Sequence, residues 1–302
     1  MSKLGHHVGP QDMSAFRVFA PRAKAVTVQL LDGDGTTERR LQLSPDRFGH
    51  GAGYWIGECE RLAHGCLYWI ELDGRRLPDP ASRYQPQGVH GPSMVVDVIA
   101  PISPDWLGVA MSDAILYELH IGTFTPEGTL AGAQTRLGHL KDLGVNAVEL
   151  LPIAAFPGER NWGYDGTFLF ALHQAYGSYA DLTAFIEAAH AHGIAVILDV
   201  VYNHFGPEGN YSGAFAPYTK AADTPWGAAI NFDMAWSHGV REYFLENLRW
   251  WLQAVGFDGV RMDAVSLIFD NSPVHILREF TDLARAIGRE EGREVLTIAE
   301  HL

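Results

Sequence analysis

Cysteine is almost absent from this 302-residue chain: Cys59 and Cys66 are the only two. Zinc spacing is therefore missing, and a disulfide scaffold is excluded. The pair is read as two buried reduced thiols. Positive charge is also scarce, with 22 Lys plus Arg against 36 Asp plus Glu and a net charge of −14 with histidine neutral. No Lys/Arg cluster offers a phosphate-binding surface, so nucleic acid is excluded as a partner. Long apolar runs are lacking too. The run Ile194 to Val201 falls far short of a membrane span, and the N-terminus shows no basic flank followed by an apolar core. The chain is read as cytoplasmic, with no membrane partner. Several catalytic signatures are missing: there is no Gly-x-Ser-x-Gly elbow, no His-Glu-x-x-His and no Walker-type glycine loop. Histidine is plentiful at 14 residues, but His190 and His192 are two apart on a helix and face different ways. His6-His7 sits on a terminus expected to be mobile.

What is present is a 47% apolar composition, which belongs to a globular protein. A chain of this length buries roughly three quarters of the surface its unfolded form exposes and needs no metal or disulfide to fold. One small and one large domain are expected. Residues 1–100 read as short strands. Phe16 to Leu31 alternates β-branched and aromatic residues, is broken at Ala20-Pro21-Arg22, and stops at Asp32-Gly33-Asp34-Gly35. Tyr54-Trp55-Ile56 and Tyr68 to Leu72 follow, the second ended by Asp73-Gly74, a turn pair that tolerates positive φ. Strands without a helical period predict a small N-terminal β-sandwich. The proline-rich stretch Pro78 to Pro104 reads as an extended connector.

Residues 101–302 alternate strand and helix. Strands are expected at Ala114 to Ile121, Ala147 to Leu151, Ile194 to Val201, Gly259 to Val265 and Val295 to Ala299. Between them the 3.6-residue period predicts helices over Thr129 to Leu143, from a cap at Asp181, over Gly239 to Val255 and over Val274 to Ile287. Such a βα series is an α/β fold, either a doubly wound sheet or a (β/α)₈ barrel. Two connections, Pro152 to Ala180 and Tyr202 to Trp236, are long and crowded with aromatic and polar residues. They follow strand C-terminal ends, the edge where parallel α/β folds build their sites.

Four segments carry candidate chemistry. In Gly259 to Val265, Arg261 and Asp263 point the same way, about 7 Å apart along a strand. An arginine beside a carboxylate keeps it ionised, as a glycosidic nucleophile must be, although a structural ion pair has the same pattern. Asp199 to His204 ends a buried strand in polar groups, where Asn203 and His204 suit sugar hydroxyls or a strand-ending turn. Glu300 stands at the tip of the last strand, a place for a general acid or a solvated carboxylate. Asn161 to Gly166 joins the aromatics Trp162 and Tyr164 to Asp165 in one loop, either a sugar platform or a cover over the core edge.

Asp199-Val200-Val201-Tyr202-Asn203-His204, Gly259-Val260-Arg261-Met262-Asp263-Ala264-Val265 and Ile298-Ala299-Glu300 occur in this order, each at a strand end. Together they resemble the α-amylase family, glycoside hydrolase family 13, and the β-rich start is similar to the starch-binding-like module preceding the barrel in branching and debranching members. The resemblance implies a partial TIM (β/α)₈ barrel with about five of eight strands. Asp79 to Ser93, Tyr117 to Gly128, Ala155-Phe156-Pro157-Gly158 and Thr224-Pro225-Trp226-Gly227 resemble the maltooligosyltrehalose trehalohydrolases within that family. Glycogen branching enzymes are the nearest rival.

The resemblance implies a retaining hydrolase acting on maltooligosyltrehalose or a related α-1,4-glucan and releasing trehalose. Asp263 would be the nucleophile and Glu300 the acid and base. Arg261 would hold Asp263 ionised, His204 would bind the sugar, Tyr164 would stack on it, and Trp162, Asp165 and Asn203 would shape the pocket. No cofactor and no metal is implied, and a pathway link to maltooligosyltrehalose synthase is. The family's third carboxylate follows a later strand, and no Asp is assigned to it. The chain is accordingly read as the N-terminal portion of a longer enzyme. A branching-type transferase and a non-catalytic α-glucan-binding fragment are the alternatives.

Overall fold

The computed structural model describes residues 3–32, 35–46, 51–97, 102, 103 and 105–301. Nine strands come first: β1 (Gly5–Val8), β2 (Ser14–Phe19), β3 (Val26–Leu31), β4 (Thr37–Gln42), β5 (Ser44–Pro45), β6 (Tyr54–Cys59), β7 (Leu67–Leu72), β8 (Arg75–Leu77) and β9 (Ser93–Met94). They form two antiparallel sheets of order β1-β2-β6-β5 and β4-β3-β7-β8, with β9 added to β7. Alternation in β7 buries Tyr68, Ile70 and Leu72, and Phe16 of β2 meets Tyr68 edge-on. The expected Asp73-Gly74 turn is present, with φ of 49° and 87°. The turn expected at Asp32 to Gly35 includes Gly33 and Asp34, which lie outside the described residues.

His6 and His7 are not on a loose terminus. They belong to β1, where His6 is buried and bonded to Ser14 Oγ at 3.0 Å. Two adjacent histidines read as a polar tail because the pairing of β1 with β2 is invisible in so short a stretch. Cys59 is buried, Cys66 is half-buried, and they form no disulfide.

The chain then builds β10 (Leu116–Leu119), β11 (Ala147–Leu150), the hairpin β12 (Ala154–Ala155) and β13 (Phe168–Leu172), then β14 (Ala195–Val200). The hairpin β15 (Thr219–Thr224) and β16 (Gly227–Ile230) precedes β17 (Gly259–Met262) and β18 (Leu296–Ala299). Five of these form one parallel sheet, β10-β11-β14-β17-β18. Helices α1 (Ile121–Phe124), α2 (Leu130–Gln134), α3 (Leu137–Asp142), α4 (Tyr179–Ala191), α5 (Ser212–Phe215), α6 (Ser237–Arg249) and α7 (Ile276–Glu291) lie between and around them. This is an N-terminal sandwich followed by a partial barrel. Every residue of β11 and β14 is buried, as in strands covered on both faces.

Three helix expectations need correction. Thr129 to Leu143 is not one helix. It breaks between α2 and α3, where Thr135 Oγ1 donates to the Gly132 carbonyl at 2.7 Å. Leu130, Ala133, Leu137 and Leu140 are still buried, so the period survives the break, but Leu143 is exposed. The cap of α4 is Ser178 rather than Asp181. The Ser178 hydroxyl accepts from the Asp181 N–H, and Asp181 accepts back from the Ser178 N–H, a reciprocal capping box. Finally, α6 runs on as a π-helical turn, Trp250–Val255, that closes at Gly256 with φ of 97°.

The sandwich is bolted to the barrel through charge and aromatic contacts. Arg17 of β2 forms a two-pronged pair with Glu242 of α6, the Tyr54 hydroxyl donates to the same carboxylate, and Arg17 lies 4.0 Å over the Tyr54 ring.

Candidate active site

Parallel pairing sets β14, β17 and β18 side by side, with Asp199 opposite Arg261 and Arg261 opposite Ile298. Side chains two residues further along then emerge at the C-terminal edge, which places Asp263 and Glu300 beside Arg261. Arg261 Nη1 donates to both carboxylate oxygens of Asp199 at 2.9 and 2.8 Å and to Asp263 Oδ1 at 2.9 Å. Its Nη2 lies 2.9 Å from Glu300 Oε1, and its Nε lies 3.9 Å from Glu149 Oε1. One guanidinium therefore faces four carboxylates.

The turn after β17 makes this convergence possible. Ala264 takes a left-handed conformation, φ 41° and ψ 53°, which costs a non-glycine residue about 1–3 kcal/mol. Its N–H donates to Glu300 Oε2 at 2.8 Å, and the Val265 N–H donates to the Glu300 carbonyl at 3.0 Å. These bonds hold the strained turn and fix the Glu300 backbone and carboxylate beside Asp263. With bonds to Arg261 and Ala264, Glu300 sits here as an acceptor of hydrogen bonds. Donating a proton requires it to leave Arg261.

On the other flank Asn203 Nδ2 donates to both the carbonyl and the Oδ2 of Asp263 at 2.9 Å. Its Oδ1 bonds His204 Nδ1, and His204 Nε2 bonds the Tyr164 carbonyl at 3.1 Å. The Tyr164 hydroxyl donates to Asp199 Oδ2 at 2.9 Å. Six of the eight expected site residues thus join one hydrogen-bonded network: Tyr164, Asn203, His204, Arg261, Asp263 and Glu300. Trp162 and Asp165 stand outside it among the described residues. Trp162 is largely exposed and meets His120 edge-on at 4.9 Å, and Asp165 accepts from Asn161.

Burial governs the electrostatics. It pushes Asp199 up to about 7, against the pull of Arg261 and the Tyr164 hydroxyl. It also raises Glu149 and Tyr164 and lowers His204. Burial opposes the charge of Arg261 as well, yet Asp199, Glu300 and Asp263 together hold it protonated above its ordinary value.

Three neighbours escaped the sequence reading. Asp199 opens a quoted motif, and its place opposite Arg261 follows from strand register, which a single sequence does not print. Glu149 is buried within the apolar run of β11. Trp226, half-exposed, caps the β15–β16 hairpin and stands 5.4 Å from the His204 ring. Its signal was an aromatic residue in a turn of the second long connection.

A strand-end nucleophile candidate, an arginine node and an acid immediately after the next strand can be compared with known proteins. The alpha-amylase catalytic-domain family matches residues 42–226, more than half of the chain. The chain belongs to the α-amylase family. It is similar to the malto-oligosyltrehalose trehalohydrolase of Saccharolobus solfataricus, 43% identical over 90% of this chain and 48% of that protein. The malto-oligosyltrehalose trehalohydrolase of a Rhizobium species is 43% identical over 96% of this chain and 49% of that protein. A 1,4-alpha-glucan branching enzyme of Rhodospirillum rubrum is 30% identical over 87% and 39%. A solved Salmonella typhimurium structure assigned as an alpha amylase superposes with a TM-score of 0.88 and 39% identity, covering all of this chain and 50% of that one. The chain spans about half the length of the curated relatives it matches.

Proposed function

We propose that this α-amylase-family chain carries the nucleophile and acid of a retaining glycosidase that releases trehalose from the end of maltooligosyltrehalose. The observation that carries the reading is the Arg261 node, which holds Asp263 and Glu300 on one guanidinium at the C-terminal edge of the sheet. Retaining hydrolysis needs two carboxyl groups about 5–5.5 Å apart, and a shared guanidinium keeps this pair close.

Asp263, ionised beside Arg261 and Asn203, attacks the anomeric carbon. Glu300, released from Arg261 when the glucan enters and protonated from solvent, gives that proton to the departing oxygen and then takes one from the water that frees the sugar. Tyr164 has its hydroxyl tied to Asp199, which leaves its ring to stack on the sugar. His204 binds the sugar in the reactive subsite, while Trp162, Asp165 and Asn203 shape the pocket. Residues 1–100 form the starch-binding-like module and residues 101–302 the catalytic unit. No described helix is long and apolar enough to cross a membrane, and we place the protein in the cytoplasm, fed by an enzyme that makes maltooligosyltrehalose.

The test is trehalose release from maltotriosyltrehalose by purified residues 1–302, with maltopentaose as control. Release from the first with little cleavage of the second supports the reading. Formation of α-1,6 links without trehalose would replace it by the branching reaction, which the 30% identical branching enzyme keeps in view.

A further inference from the structure

The connector follows β8. Its root is locked to the barrel: Arg83 stacks 4.3 Å from the Trp250 ring, and the Tyr243 hydroxyl donates to the Pro80 carbonyl at 3.0 Å. From there the segment Gln85–Gly91 forms a knot of its own. Ser82 Oγ donates to Gln85 Oε1 at 2.8 Å, Gln85 Nε2 to the Gly91 carbonyl at 3.3 Å, and the Gly91 N–H to the Gly88 carbonyl at 3.0 Å.

The tip of this knot lands on the loop that follows β14, the loop that starts with Asn203 and His204. Val89 is buried against Ala155, Phe168, Ala171 and Tyr211. Gly209, at φ +81°, passes so close that a Cβ there would lie 2.4 Å from Val89. His90 bonds the Tyr211 hydroxyl at 2.7 Å through Nδ1 and Glu208 at 3.1 Å through Nε2. Because a carboxylate only accepts, Nε2 carries the hydrogen of the Glu208 bond. On its opposite side the same loop is pressed against the Tyr164–Gly166 loop. There the Gly206 N–H donates to the Gly166 carbonyl at 3.0 Å, and a Cβ on Gly206 would lie 2.0 Å from the Asp165 carbonyl oxygen.

We propose that the connector tip, through Val89 and His90, is a clamp that positions the Asn203–His204 turn for α-glucan binding. Resting on the glucosidase reading above, it makes the sandwich side of the chain a contributor to the cleft wall. Val89 and His90 are positioning residues: they touch the loop and not the sugar. A tip that only sealed the apolar patch of Phe168 would affect stability and leave glucan affinity alone.

The experiment compares the full chain with His90→Ala, His90→Gln and Gly209→Ala. Each is measured for maltoheptaose affinity by calorimetry, melting temperature, and amide exchange of segment 203–212. Losing two hydrogen bonds at the clamp should weaken maltoheptaose binding about tenfold in His90→Ala and speed exchange in 203–212, with melting nearly unchanged. His90→Gln, which keeps a donor and an acceptor, should restore both. Gly209→Ala should reproduce the loss from the other side. Unchanged loop exchange in both disruptive variants overturns the clamp, as does faster exchange with unaltered affinity. Failure of the wild-type chain to bind maltoheptaose overturns the glucan reading instead. Exchange at Asn203 and His204 then decides the clamp alone, protection equal to wild type refuting it.

Discussion

Arg261 Nη2 lies 2.9 Å from Glu300 Oε1, while Nη1 of the same guanidinium serves Asp199 and Asp263. A planar fork with five donors can divide itself in this way, whereas an ammonium cannot. Removing the fork leaves Asp199 buried with no cation, and breaking a buried pair from one side costs about 3–5 kcal/mol. Arg261→Met should therefore lower the unfolding free energy from urea titration by that much. Arg261→Lys should fall between, since one point charge cannot serve both Asp199 and Glu300. An unfolding free energy for Arg261→Met within about 0.5 kcal/mol of wild type, the range of an ordinary surface substitution, would contradict the node.

Asp263→Asn is nearly isosteric. Its single amide oxygen can still accept from Arg261, and Asn203 keeps its bond to the backbone carbonyl of residue 263, so one side-chain bond from Asn203 and the nucleophile are lost. Wherever the protein turns over maltooligosyltrehalose, this variant should be slower by on the order of 10³-fold or more, with maltoheptaose affinity within about threefold of wild type. Trehalose assays and calorimetry on the same samples check both halves. Retained turnover would remove Asp263 from the chemistry.

The sandwich carries a pH signature independent of the site. His6, buried and bonded to Ser14, is lowered to about 3, first by burial and then by the charge of Arg83. The unfolded chain takes up a proton near pH 6.5 that the folded chain refuses. Stability from this group is therefore complete above pH 6.5 and is lost as pH falls toward 3, with a slope of at most about 1.4 kcal/mol per pH unit. His6→Gln should flatten that limb in urea titrations at pH 4, 5 and 6. Parallel limbs in the two proteins would mean that His6 charges freely when folded.

The central strands of the barrel half were legible because buried parallel strands are short aliphatic runs, as in Ala195–Val200 of β14, where every residue is buried. Arg261 and Asp263 were legible as a pair because the period of a strand is two. What the chain order conceals is register. Asp199 faces Arg261 across β14 and β17, 62 residues apart in sequence. Trp226 approaches His204 only after a hairpin has folded back. The break between α2 and α3 was hidden for a different reason. Leucine spacing continued through it, and the hydroxyl of Thr135 ended the first helix without any glycine or proline at the break to announce it.

Gly163 and Tyr164 are neighbours whose substitutions should separate two functions of one loop. Gly163 has φ of 102°, and a Cβ there would lie 2.1 Å from the Pro152 carbonyl oxygen. Its N–H is held at 2.7 Å by Asn161 Oδ1. Gly163→Ala must therefore move the backbone that carries Tyr164, costing about 1–3 kcal/mol for a disfavoured conformation and displacing the ring from the cleft. Tyr164→Phe leaves the backbone and ring in place and removes only the hydroxyl donated to Asp199, a hydrogen bond to a charged group worth about 1.5–3 kcal/mol. Both variants should lower the urea midpoint by comparable amounts, but only Gly163→Ala should lose maltoheptaose affinity. Equal loss of affinity in Tyr164→Phe would mean that the hydroxyl contacts the glucan and that the ring is not the platform.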